Sequence, residues 1–143
     1  MRFWDTSALV PLLVEESRSA ACRRLLRTDP HVAVWALTSI EIASAVRRRE
    51  RERTLTRDDV RACLRRVEQL TARWTEIDAL GLVREAAERL LALHALSAGD
   101  ALQLGAALVL VDGRPRGRAF VTADERLAQA AESEGFEPLV PRA

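Results

Sequence analysis

Four carboxylates stand where a short β-prone or polar stretch gives way to a helix-like one: Asp5 in WDTSAL, Glu41 in TSIEIA, Asp100 in SAGD and Asp124 in VTADERL. Taken singly, each reads as a helix cap. Asp5 can accept from the free N–H groups of a helix that starts beside it. Thr38-x-x-Glu41, Ser97-x-x-Asp100 and, around Asp124, Thr122-x-x-Glu125 all have the spacing of a capping box. Taken jointly, they suggest different chemistry. Asp100 is the only carboxylate in the apolar run LLALHALSAGDALQLGAALVLV, and burying it unpaired would cost on the order of several kcal/mol. If the four acids converge, each pair about 4 Å apart repels by roughly 4 kcal/mol at an effective dielectric near 20. A helix N-terminus offsets only about 0.3–1 kcal/mol per acid, and a divalent cation offsets far more. Oxygen-only ligation suits Mg²⁺ or Mn²⁺. The chemistry of such a centre is phosphoryl chemistry, with an activated water and stabilised charge at phosphorus.

Convergence depends on the elements that carry the acids. Apolar β-prone runs alternate with longer stretches of helical period, which is the pattern of βα units and a mostly parallel sheet. The strands read as Arg2 to Trp4, Val32 to Trp35, Trp74 to Ile77, Ala119 to Thr122 and Glu137 to Val140. The helices read as Thr6 to Val14, Ser17 to Arg27, Ser39 to Glu52, Thr56 to Ala72, Leu80 to Ala95, Gly99 to Val111 and Asp124 to Ser133. The expected fold class is therefore α/β, with about five strands flanked by about seven helices. In a parallel sheet the helices that follow strands start at one common edge, and ligands bind there, near the point where the strand order reverses. Asp5, Glu41 and Asp124 follow strands. Asp100 joins them if its helix enters the fourth strand from the same side.

Composition narrows the classes. At 143 residues, 48% hydrophobic and 30% charged, the chain reads as one globular domain spanning residues 1–143. All 22 basic residues are Arg, so any mechanism that needs a catalytic Lys is excluded. Cys22 and Cys63 form no CxxC, and with only two histidines neither a disulfide framework nor a zinc site is signalled. No leader-like apolar run precedes Asp5, which points to the cytoplasm. The run from Leu90 to Val111 is long enough to span a bilayer, but His94, Ser97, Gly99, Asp100 and Gln103 near its middle favour a buried helix pair and no membrane.

With a net charge of only +1, affinity for nucleic acid has to come from a local patch. Arg47, Arg48, Arg49, Arg51, Arg53, Arg57, Arg61, Arg65 and Arg66 supply one, interleaved with Glu50, Glu52, Asp58 and Asp59. That segment reads either as a solvated face laced with ion pairs or as a surface turned toward phosphates or a partner. Trp4, Trp35 and Trp74 fall on strands and read as core, which leaves no evident platform for stacking RNA bases.

The stretches WDTSALV, TSIEIASAVRR, SAGDALQLGAAL and FVTADERLAQAAESEGF, in this order and over nearly the whole chain, resemble those of PIN-domain proteins, most of all the VapC-type toxins of type II toxin–antitoxin pairs. The resemblance implies a three-layer α/β/α nuclease that hydrolyses RNA with Mg²⁺ or Mn²⁺. It implies metal ligation by Asp5, Asp100 and Asp124, a catalytic quartet completed by Glu41, and support of the acids by Ser7 and Thr122. It also implies a cognate VapB-type antitoxin, and assembly as a homodimer or a toxin–antitoxin hetero-oligomer. Arg47, Arg48 and Arg51 would then be candidate contacts to RNA or antitoxin. Gly99 departs from the commoner, bulkier residue before the aspartate and leaves the start of that helix open. Two other classes stand beside this one: a non-catalytic PIN-like interaction domain, and an aspartyl-phosphate phosphotransfer protein using Asp5. Against the latter, the chain has no Lys, and Ser7 stands where a phosphatase has its second Asp.

Overall fold

The computed structural model describes all 143 residues. Five strands, β1 (Arg2–Trp4), β2 (Val32–Trp35), β3 (Thr75–Ile77), β4 (Ala119–Val121) and β5 (Glu137–Leu139), form one sheet in the order β3-β2-β1-β4-β5. Every neighbouring pair is parallel; Phe3 of β1 lies opposite Ala33 and Phe120, and Phe120 opposite Pro138. Strand β5 joins β4 through the Glu137 N–H, bonded to the Arg118 carbonyl, and the Leu139 carbonyl, which accepts from Thr122. The helices are α1 (Thr6–Leu13), α2 (Ser19–Thr28), α3 (Thr38–Arg51), α4 (Arg57–Thr71), α5 (Leu80–Leu93), α6 (Ala98–Leu110) and α7 (Glu125–Glu134). All twelve elements match the sequence expectation with ends shifted by two residues or fewer.

Side chains alternate across a strand, and here both faces are covered. Phe3, Ala33, Trp35 and Phe120 face one core with Val83 and Leu90 of α5, Leu104 and Leu108 of α6, and Leu127 of α7. Trp4, Val32, Val34 and Val121 face the other, with Leu9 of α1, Cys22 of α2, Ile42 and Val46 of α3, and Val60 and Cys63 of α4. The result is three layers, α/β/α. Both cysteines are buried and free. Phe3 and Phe120 stack with ring centroids 5.4 Å apart, in the offset range that adds to simple burial.

Trp74 corrects the sequence reading: it precedes β3, is half-buried, and its Nε1 donates to Glu76 at 3.2 Å. Strand β3 is an edge strand with Thr75 and Glu76 exposed, so Trp74 packs at the margin of the second core without the full cover of a central strand. The apolar run from Leu90 to Val111 divides between α5 and α6, and no helix is long and apolar enough to cross a membrane. Gly105 lets these two helices meet closely. A Cβ there would lie 3.0 Å from the Val83 carbonyl oxygen and 3.2 Å from the Ala87 nitrogen.

The chain runs from β1 outward to β2 and β3, then returns to add β4 and β5 on the opposite side of β1. The reversal of strand order therefore falls at β1 and β4. That is where a crevice is expected.

Candidate active site

Asp5 is held where β1 ends: its N–H bonds the Val121 carbonyl at 2.9 Å, beside the end of β4. Its Oδ2 accepts three hydrogen bonds, from the Ser7 N–H at 3.2 Å, the Ser7 hydroxyl, and the Thr122 hydroxyl at 3.0 Å. Oδ1 accepts none. Asp5 thus caps α1, as its position predicted, and keeps one oxygen free. Burial pushes its carboxyl above the usual range; the bonds from Ser7 and Thr122 oppose that rise and the charge of Asp100 adds to it.

Ser7 and Thr122 lie 3.2 Å apart, Oγ to Oγ1, and tie the turn after β1 to the turn after β4. The Ser7 hydroxyl accepts from the Ala123 N–H at 2.9 Å, and Thr122 Oγ1 accepts from the Asp124 N–H at 3.1 Å. Thr122 is therefore no helix cap. Asp124 itself caps α7, accepting from the Leu127 N–H at 2.9 Å, while Glu125 pairs with Arg142. The capping box expected from Thr122 to Glu125 starts two residues too early.

Ser97 caps α6 by accepting from the Asp100 N–H at 3.1 Å, which fixes the helix start that Gly99 left open. Asp100 is half-buried in the first turn, and burial raises its carboxyl, with Ser97 opposing and Asp124 adding to the rise.

Glu41 differs most from expectation. Helix α3 begins at Thr38 with Leu37 at its cap position and no side-chain cap, so Thr38 is already helical and the box with Glu41 does not form. Glu41 meets Gln103 instead, whose Nε2 donates to Glu41 Oε1 at 2.8 Å and also reaches Thr6 Oγ1 at 3.0 Å and Thr38 Oγ1 at 3.2 Å. Burial raises the Glu41 carboxyl; the Gln103 bond lowers it, and the charges of Asp5 and Asp100 raise it further. The sequence reading missed Gln103 as a site residue. Its signal was an amide inside an apolar run, three residues after Asp100 and so on the same helix face.

The four acids line one cleft of about 730 Å³, and Glu16, Arg18, Arg48 and Arg49 line it with them. Arg49 pairs with Glu16 at 3.2 Å. Of the arginines singled out in the sequence, Arg48 reaches the cleft. Arg47 instead pairs with Glu50 at 3.1 Å, and Arg51 is exposed at the last residue of α3, outside the lining. Arg49 of the same Arg-rich segment lines the cleft as well. Arg18 was not singled out, because the loop after α1 that brings Glu16 and Arg18 beside α3 has no signature in the sequence.

As they stand, no three His, Cys, Asp or Glu side chains meet at metal-ligating separation. The donor set nonetheless fits a hard divalent cation. Its side chains offer oxygen alone, three of the four acids resist ionisation through burial and mutual charge, and Asp5 Oδ1 is uncommitted.

A family model described as the PIN domain matches residues 2–133. Among solved structures, the chain is similar to a toxin-antitoxin complex from Klebsiella pneumoniae, with a TM-score of 0.63 and 17% identity over 90% of this chain and 91% of that one. At that identity the likeness is one of fold. No curated protein matches the chain.

Proposed function

The chain belongs to the PIN-domain family, and from that premise we propose that it is a metal-dependent endoribonuclease, the VapC-type toxin of a type II toxin–antitoxin pair. The observation that carries this reading is the gathering of Asp5, Glu41, Asp100 and Asp124 on one cleft at the point where the strand order reverses. Caps alone do not require that arrangement. Asp5, Asp100 and Asp124 would hold Mg²⁺ or Mn²⁺, Asp5 through the oxygen that Ser7 and Thr122 leave free. When bound, the ion supplies charge neutralisation at the scissile phosphate and a water that ionises at accessible pH.

The chain's own side chains carry the other roles. Ser7 and Thr122 fix the rotation of the Asp5 carboxylate. Glu41, held through Oε1 by Gln103, presents Oε2 to take a proton from the attacking water, and its raised affinity for protons suits that task. Arg48 and Arg18, on the rim, hold phosphates of the RNA strand flanking the cut. We further propose an antitoxin partner of the VapB type, in a hetero-oligomer or alongside a toxin homodimer; the fold likeness to a toxin-antitoxin complex supports the antitoxin partner alone. The site of action is the cytoplasm.

Incubation with RNA and Mg²⁺ or Mn²⁺, with and without chelator, tests the activity. Wild type is expected to cut and chelator to stop it. Equal cleavage by wild type and Asp100→Asn would remove the acids from the mechanism. Calorimetry separates an enzyme from a scaffold that kept only the fold: no divalent binding at millimolar concentration favours the scaffold.

A further inference from the structure

Gln103 is fully buried in α6, and its amide nitrogen lies within hydrogen-bond distance of three oxygens, those of Glu41, Thr6 and Thr38. An amide carries two hydrogens, so it serves two of them at a time. The hydroxyls can turn to other partners, whereas an ionised Glu41 can only accept. The other end of the amide, Oε1, is buried with no partner. Turning the amide over would set that oxygen against the Glu41 carboxylate, so the carboxylate dictates the orientation. A side chain retained for packing alone would be better as Met or Leu, which fill similar space and bury no unsatisfied carbonyl. The location matters equally. Thr6 follows Asp5, Thr38 opens the helix of Glu41, and Gln103 lies one turn beyond Asp100. One amide joins the helix turns that carry three of the four acids.

We propose that Gln103 is a positioning residue for the acidic centre: its amide holds Glu41 in register with Asp5 and Asp100. This rests on the nuclease reading above. Gln103 does not touch the cleft, so it acts through Glu41 and not on RNA directly.

The test compares wild type, Gln103→Met, Glu41→Gln and the double variant. It reads Mn²⁺ affinity by calorimetry, melting temperature without metal, and kcat and KM on RNA. Gln103→Met is expected to keep its melting temperature and to lose about tenfold or more in Mn²⁺ affinity or kcat, because the Glu41 charge shifts relative to Asp5 and Asp100, a loss of the size that groups outside the ligand set produce. KM for RNA should not move. The double variant should be no worse than Glu41→Gln, because the amide then has no carboxylate to hold. A wild-type-like Gln103→Met, or a loss that repeats in full on the Glu41→Gln background, overturns the positioning role and leaves the nuclease reading intact. A wild type that neither binds Mn²⁺ nor cuts RNA overturns both. If Gln103→Met does not fold, Gln103→Leu takes its place, and if neither apolar variant folds the residue is structural and the inference fails.

Discussion

Asp5 divides its two oxygens between structure and chemistry, and that division explains why a cap and a candidate metal ligand can be the same residue. From sequence, the cap was legible at Asp5 and at Ser97, because cap chemistry depends on residue type and the start of a helix, whereas before α7 it was placed two residues early, at Thr122. The contacts between Asp5 and Thr122 or between Glu41 and Gln103 were not legible, since they join positions 117 and 62 residues apart that only the sheet order brings together. Two outcomes follow at this scale. Asp100→Asn should lose at least about 100-fold in RNA cleavage, since removing a ligand forfeits several kcal/mol of charge stabilisation. In the metal-free protein it should melt no lower than wild type, because burial already disfavours the charge it removes; a variant that unfolds would make Asp100 structural. Thr122→Val deletes the donor to Asp5 and the acceptor of the Asp124 N–H in a buried place, and should cost about 1–3 kcal/mol in chemical denaturation.

Helices and strands were legible because their periods differ, 3.6 against 2, and Gly and Pro mark their ends. What the periods do not show is how far an element is covered. Trp74 looked like a core residue and lies beside an open edge, because the pattern of three residues in β3 says nothing about its neighbours. The start of α3 was misread by one residue for a related reason: Thr38 suits a cap, but a partner in α6 claims its hydroxyl. The α5–α6 pair sets the position of Asp100, so defects there should reach the site. Ser97→Ala removes the cap of α6 and should cost about 1 kcal/mol. Gly105→Ala must push two backbones apart and should cost about 1–3 kcal/mol. At about 2–4 °C per kcal/mol for a chain of this size, both are readable in a thermal melt. Weakened Mn²⁺ binding should accompany the Gly105 variant.

Across the whole molecule, burial bears on three of the acids in the same direction. Asp5, Glu41 and Asp100 all have carboxyls raised from ordinary values of 3.8, 4.5 and 3.8, with burial the largest cause in each. A raised carboxyl favours the folded state fully at pH below its unfolded value, and that contribution is lost as pH climbs through the raised folded value. In metal-free protein this cluster therefore subtracts stability between mildly acid and neutral pH. A bound divalent ion reverses that sign. Mg²⁺ or Mn²⁺ at about 100 times its Kd should add roughly 2.7 kcal/mol at neutral pH, and the increment should shrink as the acids protonate. Thermal melts with and without metal across that pH range read both effects; an increment independent of pH would place the ion elsewhere.

Strand β5 contributes Glu137 and Leu139 to the ladder with β4, so the backbone of Pro138 between them turns to the open side. Proline has no N–H to offer, and the one outward donor position of that three-residue strand is therefore blank. At the opposite border β3 is equally short and carries the exposed Glu76. Short, charged or proline-bearing borders resist the addition of a foreign strand. Both ends of the sheet are poor templates for another chain, so polymerisation by edge pairing is disfavoured.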